Sequence, residues 1–276
     1  MKKSSLAVLV SLFFSACCFA TSEIREYKDF SQVHSAALEV AQKVRPAQIW
    51  MVYDIDNTLL TSTSVLGRSE WFDWQGKLIK EESKSSYRVA ATPDDLTAIG
   101  TNVFKWSTME PVEQSTIIAV NDLQNRNMRS MVLTARSPAA IDSSLRELDR
   151  NQLYFTQSSR PLKNVVFEPQ SISNAKPVIF EEGIMMVTGQ DKGLALKELL
   201  TGQRVKPKVI IFVDDAYWNI ENMAKAFAND PACHVIAVYY THTKPQVEEF
   251  ERSPKERWHK EYLEFSNVWG KFQQAS

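Results

Sequence analysis

The sequence predicts an α/β fold, and three observations carry that prediction. Ile49-Trp50-Met51-Val52-Tyr53, Ser130-Met131-Val132-Leu133 and Lys208-Val209-Ile210-Ile211-Phe212-Val213 are apolar runs of strand length. They are continuous rather than alternating, as in strands buried on both faces of a parallel sheet. Stretches with apolar residues at helical spacing separate them. Each run also ends in a residue able to do chemistry: Asp54, Thr134 and Asp214. In an open α/β sheet that strand edge is where ligands bind.

Taken in order, residues 1–20 read as a secretory signal: Lys2 and Lys3, then apolar Leu6 to Phe14, then Cys18-Phe19-Ala20 as a cleavage site before Thr21. The apolar stretch is too short for a membrane span. Phe14-Ser15-Ala16-Cys17 also resembles a bacterial lipobox, which would lipidate Cys17, although phenylalanine is unfavourable at its first position. The expected location is the periplasm or the exterior of the cell. The 276 residues hold 32 Lys and Arg against 33 Asp and Glu, a net charge of −1. Losing residues 1–20 removes two lysines and brings the charge to −3, which excludes a nucleic-acid binder by bulk charge. The 256 residues that remain fit one α/β domain with insertions. Cys233 is then the only cysteine, so no internal disulfide is expected. It sits at a strand start in Pro-Ala-Cys-His-Val and reads as a core residue rather than a nucleophile.

A helix is expected from Asp29 to Val44, with His34 a packed or exposed histidine rather than a ligand. Arg45-Pro46 ends it and feeds the first strand. Residues 61–110 differ in character, with Trp71, Phe72, Trp74, Tyr87, Phe104 and Trp106, mixed charge, and a turn at Thr92-Pro93-Asp94-Asp95. They read as a partly helical cap, whose aromatics either wall a pocket or form the insert's own core. The main domain then comprises residues 21–60 and 111–276. Glu110-Pro111 is expected to open a helix to about Arg126, and Ser137-Pro138 to cap another to about Leu148. Asn164 to Phe167 suggests a short strand, and residues 178–187 a β-hairpin. A helix follows Asp191-Lys192-Gly193, another spans Ala216 to Ala228, and His234 to Tyr239 reads as the last strand of the sheet. The tail from about Ser253 reads as an amphipathic closing helix.

Asp54-Ile55-Asp56 sets two carboxylates at a strand end, where they repel unless a cation neutralises them; hard oxygen ligands favour Mg2+. One carboxylate can then attack a phosphoryl group, and the other can protonate the leaving oxygen and activate water. The competing reading is an Asp/Asn-rich turn. Thr134 lies just before a helix N-terminus, a natural seat for phosphate oxygens. Lys192 in the first turn of its helix opposes the macrodipole, a conflict that nearby anions would remove. Asp214-Asp215 repeats the carboxylate pair at another strand end, with Asn219 in the next helix.

Asp54-Ile55-Asp56-Asn57-Thr58, Thr134 in Val-Leu-Thr-Ala-Arg, Lys192 in Asp-Lys-Gly, and Asp214-Asp215 with Asn219 resemble the four ordered motifs of the haloacid dehalogenase superfamily, across residues 49–240. Together with the export signal, the aromatic insert and the Gly-Ile-x-x-x-x-Gly-x-x-Lys-Gly segment at 183–193, they are similar to a family of secreted bacterial members of unestablished function. The resemblance implies a three-layer α/β sandwich with a mainly parallel, Rossmann-like sheet and a cap inserted after the first motif. It implies Asp54 as nucleophile and Asp56 as general acid/base. Thr134 and Lys192 would hold phosphate oxygens, with Asn57 and Ala135 as further substrate-binding positions. Asp54, Asp56, Asp214 and Asp215 would hold Mg2+, and Asn219 would orient the last loop.

The second carboxylate favours a phosphatase over a dehalogenase, which needs no acid/base there. The leading expectation is an exported Mg2+-dependent phosphomonoester hydrolase acting on a small phosphorylated substrate. The alternatives are a phosphotransferase or mutase, and an exported binding or effector module with little turnover. Nucleotides, sugar phosphates, phospholipid headgroups and phosphoproteins all stay open as substrates.

Overall fold

A computed structural model describes residues 22–82 and 84–275; the signal segment, its cleavage site and the lipobox lie outside the described residues. At its centre is an eight-stranded sheet whose middle strand, β2 (Ile49–Tyr53), is fully buried. Strand order is β1 (Ser22–Tyr27), β10 (His234–Tyr240), β9 (Val209–Asp214), β2, β5 (Arg129–Thr134), β8 (Ile184–Met186), β7 (Val178–Glu181) and β6 (Val165–Phe167). The first six in that order pair parallel, and β7 pairs antiparallel with both β8 and β6. The chain leaves β2 toward β5 and returns to β2's other side at β9, so the switch of direction falls at β2.

Alternation along the strands divides the core into two layers. Ile49, Met51 and Tyr53 face α1 (Phe30–Ala41), α4 (Gln114–Asn125) and α5 (Ile141–Arg150), through Phe30, Val33, Val120, Leu123 and Leu148. Trp50 and Val52 face α6 (Lys192–Gly202) and α7 (Tyr217–Phe227), through Leu196, Leu199, Ile220 and Met223. The expected three-layer α/β sandwich with a mainly parallel sheet is what the chain forms.

Between β2 and α4 a two-stranded antiparallel ribbon, β3 (Leu60–Ser62) with β4 (Met109–Pro111), frames two helices, α2 (Ser69–Glu81) and α3 (Pro93–Trp106). A third cluster joins them to α8 (Lys244–Arg252) and α9 (Lys255–Ala275). Trp71, fully buried, packs edge-on to Phe72 and stacks on Tyr262 of α9 with ring centroids 5.8 Å apart.

Several local expectations are corrected. Thr92-Pro93-Asp94-Asp95 is a helix start: Thr92 Oγ1 accepts from Asp95 N at 3.1 Å, Asp95 Oδ2 accepts from Thr92 N at 3.0 Å, and Pro93 takes the first helical position. Glu110-Pro111 is strand, drawn into the ribbon, and α4 starts at Gln114. Strand β1 was not foreseen, because Glu23, Arg25 and Glu26 give Ser22–Tyr27 the composition of a surface loop; it is an edge strand and tolerates them. Helix α8 was not foreseen either; its residues are mostly charged and only Phe250 is buried. Cys233 is buried and free, and burial pushes its thiol up to about 12, which fits a packing residue.

Candidate active site

Asp54 leaves the end of β2 and Asp214 ends the neighbouring β9; the ladder continues one step past the strand, with Asp54 N donating to Val213 O at 3.0 Å. Main-chain pairing thereby sets the two carboxylates side by side. Lys192, the first residue of α6, reaches both: its Nζ is 2.6 Å from Asp54 Oδ1 and 2.7 Å from Asp214 Oδ2. These anions offset its unfavourable position at a helix N-terminus. The Asp191 side chain caps the same helix by accepting from Leu194 N. Gly193 lets the start of α6 sit against α7, since a Cβ there would lie 2.7 Å from Asn222 O. Asn219 of α7 donates to both Asp214 oxygens at 3.0 Å, and Ala216 N donates to Oδ1 at 2.9 Å.

Asp54, Lys192 and Asp214 are each at most 5% exposed. Burial pushes the Asp54 carboxyl up to about 7: Lys192 opposes the rise, while Asp214 and Asp56 add to it. Burial likewise pushes Asp215 well above the carboxylate range, with Asp214 and Asp54 adding. For Lys192, burial favours the neutral amine, but Asp214 and Asp54 outweigh it and hold the ammonium above its ordinary range. One lysine is shared by more negative charge than it can balance.

Asp56 is held by a different cation. Arg136 grips it with two bonds, Nε to Oδ2 at 2.9 Å and an Nη to Oδ1 at 2.7 Å. The guanidinium also donates to Ser144 Oγ at 2.9 Å and lies 3.9 Å over the Phe104 ring. Arg136 ends the Val-Leu-Thr-Ala-Arg segment, and its partner lies 80 residues away. The available signal was a positive side chain two residues past a strand end, facing a motif with two carboxylates.

Thr134 is fully buried at the end of β5, its hydroxyl accepting from Arg136 N at 3.2 Å. Backbone bonds from Val187, Thr188 and Gly189 to Thr134, Arg136 and Ala135 tie this loop to the one before Lys192. Ala135 is exposed. The Asn57 side chain is not brought into the cluster: its Nδ2 donates to Glu70 at 3.2 Å and its Oδ1 accepts from Thr61. Asn57 turns the chain after Asp56 in a left-handed conformation, φ 59°, which asparagine tolerates well.

Asp54, Asp214 and Asp215 present carboxylate oxygens that all lie within 4.8 Å of one another. With Asp56 they make four carboxylates against two cations, Lys192 and Arg136, a formal charge of −2 when all are ionised. An all-oxygen donor set with that charge fits a hard divalent cation such as Mg2+. A cavity of about 380 Å³ opens on Asp56 and Arg136 and runs between α2 and α3. A larger cleft of about 830 Å³ lies at the opposite end of the strands, beside Gln48, Val209 and His234, and touches none of these groups.

The sequence model of a family described as "Protein of unknown function (DUF2608)" matches residues 26–269. Three chlamydial relatives, each called "Putative outer membrane protein", match as well. The Chlamydia trachomatis protein is 24% identical over 63% of this chain and 62% of its own length. The Chlamydia muridarum protein is 24% identical over 71% and 70%, and the Chlamydia pneumoniae protein 23% identical over 76% and 72%. The chain thus spans less than two thirds of the C. trachomatis relative. A crystal structure of cytosolic 5'-nucleotidase IIIB bound to cytidine covers 80% of this chain and 82% of its own, at 12% identity and a TM-score of 0.36. The chain belongs to the DUF2608 family, and its α/β architecture agrees with the haloacid dehalogenase resemblance of its motifs.

Proposed function

We propose that this chain is an exported, Mg2+-dependent phosphomonoester hydrolase that works through a phosphoryl group carried on Asp54. The observation that carries the reading is the Lys192 bridge between buried Asp54 and Asp214, with Asp215 and the Arg136-held Asp56 beside it, so that four carboxylates share two cations. A stable fold has no use for such a cluster, because buried like charges destabilise it. A site that receives a cation and a phosphoryl group does.

In the first step an Asp54 oxygen attacks phosphorus, the ester P–O bond breaks with its electron pair going to the alcohol oxygen, and Asp56 supplies that oxygen's proton. In the second, water attacks the phosphorylated Asp54, Asp56 takes a proton from it, and phosphate leaves with Asp54 restored. Lys192 neutralises phosphate oxygens and keeps Asp54 oriented; Thr134 lines the phosphoryl side. Asp54, Asp214 and Asp215, with the Asp56 carbonyl, would hold Mg2+, which supplies charge neutralisation for the transferring phosphoryl group. Arg136 is a positioning residue that fixes Asp56. The segment from Thr61 to Glu110 acts as the cap, and Asn57 joins it to the site through Glu70.

Export is supported by the character of residues 1–20 and by the name of the chlamydial relatives. No helix among the described residues is long and apolar enough to cross a membrane.

The test is phosphate release from a panel of phosphomonoesters by residues 21–276, with Mg2+ and with EDTA, beside Asp54→Asn. Turnover that needs the metal and Asp54 is expected. Turnover that survives Asp54→Asn, or no release from any ester despite demonstrated Mg2+ binding, overturns the reading.

A further inference from the structure

The cavity between α2 and α3 is lined by one stripe of each helix. On α2 the stripe is Phe72, Asp73, Gly76, Ile79 and Lys80; on α3 it is Pro93, Leu96, Thr97, Gly100, Thr101 and Phe104. Both follow helical spacing, so the two helices face each other across the space. Its inner end is polar, formed by Asp56 and Arg136, and its walls are mainly hydrocarbon. Ile79, Leu96 and Phe72 are only half-buried, although neighbouring Trp71 and Leu78 are buried.

The two glycines have opposite packing roles. A Cβ on Gly100 would lie 2.9 Å from the Phe72 ring, so Gly100 lets that ring pack close against α3. A Cβ on Gly76 would meet nothing within 4 Å. Gly76 sits inside a 13-residue helix, where glycine is among the poorest formers, and no neighbour requires it. What glycine does there is leave the cavity open. The rings of Phe72 on α2 and Phe104 on α3 lie with centroids 5.5 Å apart, and the Arg136 guanidinium lies over the Phe104 ring. One acid, Asp73, and one base, Lys80, stand exposed at the mouth, giving no charge preference.

We infer that this cavity receives the alcohol part of the substrate, and that it selects phosphomonoesters whose alcohol carries an aromatic or alicyclic ring over sugar and polyol phosphates. The inference rests on the hydrolase reading. A ring seated against Phe72, Ile79 and Leu96 completes the burial of half-covered side chains and extends from Asp56, the residue that meets the alcohol oxygen of the ester. A polyol in the same space would give up water against walls that are mainly hydrocarbon and offer few free donors, since Thr97 Oγ1 already donates to Pro93 O and Thr101 Oγ1 to Thr97 O.

The test compares kcat/KM for 2-phenylethyl phosphate and glycerol 1-phosphate; both are alkyl esters, so leaving-group acidity does not drive the comparison. The ring ester is expected to win by about tenfold or more. Gly76→Leu, whose side chain enters the cavity, and Thr97→Leu from the facing helix are each expected to reduce that ratio at least about fivefold. Thermal melting checks the fold of both variants, and with open space at Gly76 no loss is expected for the first. Equal kcat/KM for the two esters, or a ratio unmoved by either folded variant, overturns the inference and leaves the hydrolase standing. If no ester is turned over, ligand-observed NMR with 2-phenylethanol decides separately. Binding to the native chain that is lost in Gly76→Leu sustains the pocket and confines the failure to the hydrolase reading. No binding to the native chain overturns the pocket.

Discussion

At the sheet edge, Asp54, Lys192 and Asp214 are almost wholly buried and fixed from several directions: strand pairing, a helix start, and three hydrogen bonds onto Asp214. In the α2–α3 segment, Phe72, Ile79 and Leu96 stay half-buried, and a helix carries a glycine that packing does not need. The first region stores electrostatic strain in a rigid frame; the second leaves apolar surface unfinished. Chemistry that is common to many esters suits the first, and discrimination among them suits the second.

The most severe way to break this contrast is Asp54→Asn. Turnover is expected to fall at least about a thousandfold, measured as phosphate release. Stability is expected to move the other way, because the substitution removes one charge from a cluster with a negative excess. The sign can be followed with pH. The Asp54 carboxyl lies near 4 in the unfolded chain and at about 7 in the folded one. The folded state therefore binds the extra proton between those values, and the metal-free chain loses stability as pH rises from about 4 through 7. The melting temperature without metal is expected to be higher at pH 5.5 than at pH 8. Asp54→Asn flattens that dependence, and Mg2+ raises the pH 8 value. A metal-free melting temperature that climbs from pH 5.5 to 8 would contradict the charge assignment.

Lys192→Met tests the frame itself. Removing the shared ammonium leaves Asp54 and Asp214 facing each other with no cation, a loss of about 3–5 kcal/mol for a broken buried pair. Urea unfolding at pH 8 should show it, with a smaller loss at pH 5.5, where the cluster takes up protons. An equal loss at both pH values would mean that packing, not charge, is what Lys192 provides.

Arg136→Lys probes the seam between the two regions, since Arg136 touches Asp56 and Ser144 on one side and the Phe104 ring on the other. A lysine keeps the charge but cannot make the two-bond grip or the flat stack. A drop of about 10- to 100-fold in kcat, larger than any rise in KM, is expected if Arg136 positions Asp56. A change in KM alone would move Arg136 to substrate binding.

What the sequence disclosed follows the same division. Asp54, Lys192 and Asp214 were legible because each is announced by its own neighbours, an apolar run or a helix start, and the Lys192 ammonium joins the two carboxylates. The Arg136–Asp56 grip was not, because nothing local to Arg136 marks it and its partner lies 80 positions away. The stacking of Trp71 on Tyr262 joins α2 to α9 and likewise depends on contacts that no local pattern announces. Asn57 was read with the catalytic motif, yet its side chain serves the link to Glu70. Strand β1 was hidden by its charged edge-strand composition.

Thr92→Ala is the mildest test and asks whether the α2–α3 segment can loosen alone. Thr92 and Asp95 share three hydrogen bonds at the start of α3, and both are exposed, so little besides the cap is lost. Such a cap is worth about 1 kcal/mol. If the segment opens independently of the sheet, hydrogen exchange should quicken in residues 93–106, with β2 and β9 unchanged. Leu96, Thr97 and Gly100 lie on that helix, so the same loosening should raise KM for a ring-bearing ester more than it lowers kcat. Exchange that quickened equally in β2 would show that the segment and the sheet unfold as one unit. The half-buried stripe would then belong to a rigid wall rather than to a separable cap.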